Sequence, residues 1–147
     1  MEMDIDLSLA ARYGEIHDFY RRNLKVFKSF CAVFESFFKK EKYQNAEIKI
    51  ESDTKHKATI RFCGMTYRLR LACEPTDLNS AIVVLLKKDK EGRKLVMAQA
   101  TIADAESVIF TKDTRIFLKD NYEFNNAVLK FFIGGITGSP DKERAAG

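Results

Sequence analysis

A chain of 147 residues that is 46% hydrophobic and 31% charged has enough apolar side chains for one core, which excludes an intrinsically disordered protein. The formal net charge of +4 comes from one segment, since residues 21–73 carry thirteen Lys and Arg against five acidic residues. The first residues are acidic, unlike a secretory signal, and no apolar run approaches the ~20 residues of a membrane-spanning helix. We therefore expect one cytoplasmic domain that is not inserted in a membrane.

The first predicted element is a long helix from about residue 7 to residue 42. Apolar side chains recur along it at intervals of three or four residues: Leu9, Tyr13, Ile16, Tyr20, Leu24, Phe27, Cys31, Phe34 and Phe38. This spacing places them on one helical face. Asp6 is among the candidate N-caps, and a helix of this length could bend near Gly14 or Asn23.

After Asn45 the apolar period changes from 3.6 to 2 residues, which predicts strands. Alternating apolar and polar residues cover 47–51, 59–62 and 65–71, and Cys63-Gly64 is a candidate two-residue turn between the last two segments. The sequence therefore predicts three strands of an antiparallel meander.

The continuous apolar run from Ala81 to Leu86 predicts a central strand that is covered on both faces. Further strands are expected at 94–102 and 108–111. A last helix is predicted to begin at Asp120, where Glu123 completes an arrangement close to a capping box, and to end at Gly134-Gly135.

Together these elements predict an α+β fold. A long N-terminal helix packs on a five- to six-stranded antiparallel meander sheet, and a short C-terminal helix lies on the same side. We expect residues 1–135 to form this single domain and residues 136–147 to form a flexible C-terminal tail, because that segment is rich in Gly, Pro, Ala and charged residues.

The sequence contains few of the groups that catalysis or metal binding requires. Its two histidines, His17 and His56, stand outside any metal-ligand spacing, and no glycine-rich phosphate-binding motif occurs. We therefore expect no catalytic residue, no metal and no cofactor, and a protein that is not an enzyme. The three cysteines lack C-x-x-C spacing and indicate a reducing compartment. Catalysis by Cys63 or Cys73 is a minor alternative, since a free cysteine is usually a buried apolar residue.

Two groups of cations are candidate binding residues. The predicted helix carries one group away from its phenylalanine face, and the predicted sheet carries the other on the face that its apolar residues leave. The helix group is Arg21, Arg22, Lys25 and Lys28, and the sheet group is Lys49, Arg68 and Arg70. In the predicted hairpin Lys57 faces Arg70, and like charges in that position destabilise a sheet unless a counter-ion is present. The preceding strand is predicted to place Glu51 opposite Lys57 and Glu47 opposite Arg61, which neutralises most of the charge and leaves a modest surplus around Lys49, Arg68 and Arg70.

Three functions agree with these features. The first is a non-enzymatic protein-interaction module of the inhibitor, immunity-like, adaptor or chaperone type, because the chain lacks catalytic motifs and has more apolar surface than two helices cover. A homodimer is another use of that surface. The second is nucleic-acid binding through the two groups of cations. The third is a pocket for a small apolar ligand.

Overall fold

The computed structural model describes residues 6–38, 46–50, 56–62, 64–73, 78, 81–104, 106–111 and 114–138. The elements are α1 (Leu7–Phe38), β1 (Ala46–Ile50), β2 (Lys57–Phe62), β3 (Met65–Cys73), β4 (Ala81–Lys88), β5 (Lys94–Asp104), β6 (Ser107–Thr111), β7 (Thr114–Phe117) and α2 (Asn121–Thr137). Within this part of the chain no helix is both long enough and apolar enough to cross a membrane.

All seven strands form one antiparallel sheet in chain order, from β1 to β7. The predicted α+β class, with a long first helix, a meander sheet and a short last helix, is confirmed. The sheet contains one strand more than we predicted, because β7 is only four residues long, Thr-Arg-Ile-Phe, and is too short to show an alternating pattern. The hairpin between β2 and β3 pairs Phe62 with Met65 around Gly64, as predicted.

Both helices cover the same face of the sheet. Phe30 of α1 packs against Phe124 and Phe131 of α2, with ring centroids 5.7 and 5.6 Å apart. Phe132 of α2 lies 5.0 Å from the ring of Phe34 in α1. We call this covered face the inner face and the opposite one the outer face. The inner face supplies the strand residues of the core: Ala58, Ile60, Tyr67, Leu69, Leu71, Ala81, Val83, Leu85, Ala100, Ile102 and Val108.

The helix α1 begins after Asp6, whose carboxylate accepts a hydrogen bond of 2.8 Å from the backbone N–H of Ser8. Of its predicted apolar face, Leu24, Phe27, Cys31 and Phe34 are buried, whereas Leu9 and Tyr13 are 68% and 70% exposed. The apolar face predicted from Leu9 onward therefore extends beyond the part of the helix that is buried in the core. A 32-residue helix is about 48 Å long, whereas seven strands span about 29 Å, so the sheet is too narrow to bury it entirely.

The central position of β4 is confirmed, since it is the fourth of seven strands. Ala81, Val83 and Leu85 are buried beneath the helices. Of the alternate residues on the outer face, Val84 is also buried, whereas Ile82 and Leu86 are half-buried. The predicted burial of β4 on both faces is therefore found in part among the described residues.

The helix α2 passes through Gly134-Gly135 and ends at Thr137, two residues beyond the predicted end. A Cβ at Gly135 would lie 2.7 Å from Leu85 Cδ2 and 3.3 Å from Ala98 Cβ, so the glycine allows α2 to approach β4 and β5 closely. Asp120 precedes the helix but makes no capping hydrogen bond with its side chain, which corrects the predicted capping box. The division into a 1–135 domain and a 136–147 tail stays a prediction, because 139–147 lie outside the described residues.

The two neighbouring glycines of α2 give a test of this packing. A Cβ at Gly134 would meet nothing within 4 Å. We expect Gly134→Ala to raise the free energy of unfolding by about 0.5–1 kcal/mol, because alanine favours the helix over glycine. Gly135→Ala gains the same propensity but overpacks the core. It should be less stable than Gly134→Ala by about 1–3 kcal/mol in urea unfolding. Equal stabilities would contradict the close approach of α2.

Candidate functional site

The outer face of the sheet carries the predicted sheet cations. In β3, Tyr67, Leu69 and Leu71 are buried on the inner face. Because successive strand residues point to opposite faces, Arg68 and Arg70 project from the outer face. The register places Arg70 directly opposite Lys57 in β2, as the sequence predicts.

These side chains line a cleft of about 430 Å³, which we call the basic cleft. Its described lining residues are Lys57, Gly64, Met65, Thr66, Arg68, Leu69, Arg70, Leu86, Lys87, Lys88 and Lys94. Six of them are Lys or Arg, and none of those described is acidic. Lys87 Nζ lies 5.8 Å from the ring centroid of Tyr67, an inner-face residue, so five cations belong to the cleft itself. The described lining of the basic cleft is therefore positively charged.

A second pair of like charges stands across the hairpin of β4 and β5, where Lys88 is directly opposite Lys94. The acids of the connecting turn form their ion pairs with Arg93. Asp89 Oδ2 accepts a hydrogen bond of 2.8 Å from Arg93 Nε, and Glu91 forms an ion pair with the same guanidinium. Lys88 and Lys94 were missed in the sequence analysis, although they flank a turn with Gly92, which indicates a hairpin register.

The two predicted groups of cations do not form one site. The helix α1 packs on the inner face, whereas Arg68 and Arg70 project from the outer face. Arg21, Arg22 and Lys25 instead line a shallow cavity together with Glu15 and Asp18, so acidic neighbours offset much of their charge. Lys28 is exposed on α1 and is not among the described residues of that cavity. Lys49 lies opposite Thr59 in the register of β1 and β2, and its side chain is outside the described part.

A second concave surface, of about 970 Å³, lies between α2 and the strands β5, β6 and β7. We call it the α2 groove. Its apolar lining includes Met97, Phe110, Ile116, Tyr122 and Phe131, and Gly134 lies at its rim with space around it. Tyr122 is 82% exposed, which is unusual for so large a side chain. The sequence did not predict the α2 groove, because the groove depends on how α2 packs against β5, β6 and β7.

One edge of β5 opens into the α2 groove. The pairing of β5 with β6 covers Asp104 to Thr101 and stops at the pair Thr101 and Ile109. Gln99 and Thr111 would be the next partners on the same side of the strand, and they are not paired. Because β5 begins at Lys94, its segment 94–99 has no partner strand on this side among the described residues. Both Gln99 and Thr111 line the groove.

The described thiols do not have the properties of nucleophiles. Burial, with a smaller effect of Glu35, raises the pKa of Cys31 to about 12. Burial also raises the pKa of Cys73, which lies near Tyr20 and contributes to the raised pKa of that phenol. The Nδ1 atom of His56 lies 3.4 Å from the hydroxyl oxygen of Tyr20. A nucleophilic cysteine requires a lowered pKa, so this cluster lacks the central property of a Cys-His catalytic pair. Cys63 lies outside the described residues.

Neither known proteins nor metal-ligating side chains in the described part of the chain indicate a function for these two surfaces. No family model, no curated protein and no solved structure matches the chain. Among the described side chains there is no group of three or more His, Cys, Asp and Glu residues that could hold a metal ion. The function must therefore be argued from the basic cleft and the α2 groove.

The thiol reactivities follow from the raised pKa values. We expect iodoacetamide to alkylate Cys31 and Cys73 more slowly in the native protein than in the denatured protein at about pH 7.5, because only the thiolate reacts. The rate at Cys73 should still be rising above pH 9, its ordinary value. Mass spectrometry of the separate peptides measures each site. Faster alkylation of native Cys73 would contradict the raised pKa and favour the enzymatic alternative.

The facing lysines predict a stability change. Lys94→Glu converts a like-charged pair with Lys88 into an opposite-charged one, so we expect the free energy of unfolding to rise by about 0.2–1 kcal/mol at low salt. Lys90→Glu makes the same change in net charge at an exposed turn position outside the cleft lining, and it is the control. If urea unfolding gives both variants the same stability, the pair does not repel.

Proposed function

We propose that this protein is an interaction module that binds an extended segment of a partner protein as an added strand along β5. The observation that carries the proposal is the segment 94–99 of β5, which has no described partner strand on this side and whose residues Met97, Ala98 and Gln99 line the α2 groove. An open strand edge presents unpaired backbone N–H and C=O groups, and an extended peptide satisfies them by strand addition.

The lining of the groove specifies the chemistry of the segment. Side chains of an added strand alternate between the two faces of the sheet. Those on the inner face enter a space bordered by Phe110, Phe131 and Met97, which favours apolar residues. Those on the outer face emerge beside Gln99 and Thr111, which favours polar residues. The partner segment is therefore about six residues long, matching 94–99, with an apolar residue at every second position.

The close fit of α2 on the sheet supports a preformed groove. The absence of a side chain at Gly135 allows the helix to lie close to β4 and β5, while a Cβ at Gly134 would meet nothing within 4 Å. A groove formed in this way requires little reorganisation to receive a peptide, which lowers the entropy cost of binding.

The test is selection of peptides of about nine residues from a random library displayed on phage. We expect the selected peptides to alternate apolar and polar residues and to bind wild-type protein. Gly134→Leu places a side chain in the groove mouth and should weaken this binding at least tenfold. Thr137→Leu adds a leucine to an exposed position of the same helix that is not among the described lining residues, and it should bind normally.

Methionine methyl groups report the location directly. Met97 lines the α2 groove, whereas Met65 lines the basic cleft on the other face. In protein labelled at the methionine methyl carbons, a selected peptide should shift the NMR signal of Met97 and leave that of Met65 unchanged. Peptides that bind Gly134→Leu as tightly as wild type, or that leave the Met97 signal unmoved, would refute the proposal. A wild-type dimer that Gly134→Leu converts to a monomer would show that a second copy occupies the groove instead.

A further inference from the structure

The basic cleft is independent of the α2 groove and has a different chemistry. Two pairs of like charges, Lys57 with Arg70 and Lys88 with Lys94, face each other across neighbouring strands of the outer face. Directly opposed like charges destabilise a sheet, so two such pairs around one cleft favour the binding of a counter-ion. A bound anion removes this repulsion.

The register shows how the cations are arranged. Lys88 continues the row of Arg61 and Thr66 across the sheet, and Lys94 extends that row to β5. Lys57 and Arg70 form a parallel row four residues further along the strands. Adjacent strands are about 4.8 Å apart and residues rise about 3.4 Å along each, so the cations extend about 14 Å in both directions. One phosphate group is too small to contact all of them.

A nucleic-acid strand fits this spacing. Each strand of a duplex carries one negative charge per about 3.4 Å of axis, so 14 Å corresponds to about four phosphates. The described lining contains no aromatic residue on which a base could stack, and Leu86 is an outward-facing apolar side chain within it. Contacts to phosphates fix the position of a protein on nucleic acid without selecting its sequence.

We propose that the basic cleft binds the phosphate backbone of nucleic acid without base selectivity. Lys57 and Arg70 hold one part of the backbone, and Lys88 and Lys94 hold the next. The sequence suggested nucleic-acid binding as an alternative function, and the basic cleft gives that function a specific location on the outer face. It excludes the cations of α1, because Arg21, Arg22 and Lys25 share their cavity with acids on the other side of the sheet.

The test is fluorescence anisotropy with labelled single strands and duplexes of about 12 nucleotides at about 50 and 200 mM salt. The cleft variant Lys88→Gln/Lys94→Gln removes two phosphate contacts. We expect it to weaken single-strand binding at least about fivefold at 50 mM salt. It should also lower the slope of log affinity against log salt by about 1.4, at about 0.7 for each contact. The variant Lys88→Arg/Lys94→Arg should retain binding.

The matched control is Lys25→Gln/Lys28→Gln, which lowers the net charge equally on α1 and should bind as wild type. Nucleic acid should also shift the methyl signal of Met65 and leave that of Met97 unchanged, in wild type and in Gly134→Leu. A negative result for nucleic-acid binding can thus be distinguished from a negative result for peptide binding. Three results would overturn the inference: no binding at 50 mM salt, an equal loss in the α1 control, or equal affinity for poly-glutamate of matched charge.

Discussion

The structure depends on the packing of two phenylalanine-rich helices on one face of a meander sheet. Phe30 and Phe34 of α1 meet Phe131 and Phe132 of α2, and these rings cover the inner face. Because the residues of a strand alternate between the two faces, the residues that do not pack beneath the helices belong to the outer face. The basic cleft is a consequence, because the residues between buried Tyr67, Leu69 and Leu71 in β3 have only the outer face left.

The α2 groove has a different origin, in the unequal lengths of the last strands. The strand β5 has eleven residues, whereas β6 has five and β7 has four. The strand β6 pairs with β5 only between Thr101 and Asp104, and β7 pairs with β6, so residues 94–99 of β5 have no partner strand on that edge in the described part of the chain. The helix α2 forms the roof, and the absence of a side chain at Gly135 allows it to lie close to the sheet.

The two proposed sites lie on different parts of the molecule and use different interactions. The α2 groove offers backbone hydrogen bonds and apolar contacts, which depend little on salt. The basic cleft offers charge, and its affinity for an anion decreases as salt screens the lysines. The lining residues of the two sites do not overlap, although the segment 94–99 of β5 includes Lys94 of the basic cleft.

The sequence by itself determined the α+β class, the position of β4 and the hairpin that joins β2 and β3, because apolar periodicity and turn residues are local signals. It also determined that Lys57 faces Arg70. The sequence did not predict β7, which is too short to show an alternating period. It also did not predict the exposure of Leu9 and Tyr13, because their burial depends on the width of the sheet rather than on the pattern of their own helix.

Only the tertiary structure decided where the cations gather and where a groove opens. Lys88 and Lys94 join Arg70 in one cleft because three strands pair in a particular register, and the pattern of any single strand does not contain that information. The helix cations looked equally suitable in the sequence, but the packing of α1 places them on the other side of the sheet, beside Glu15 and Asp18. Both candidate sites arise from the packing of several elements against one another, which is why the pattern within any single element could not locate them.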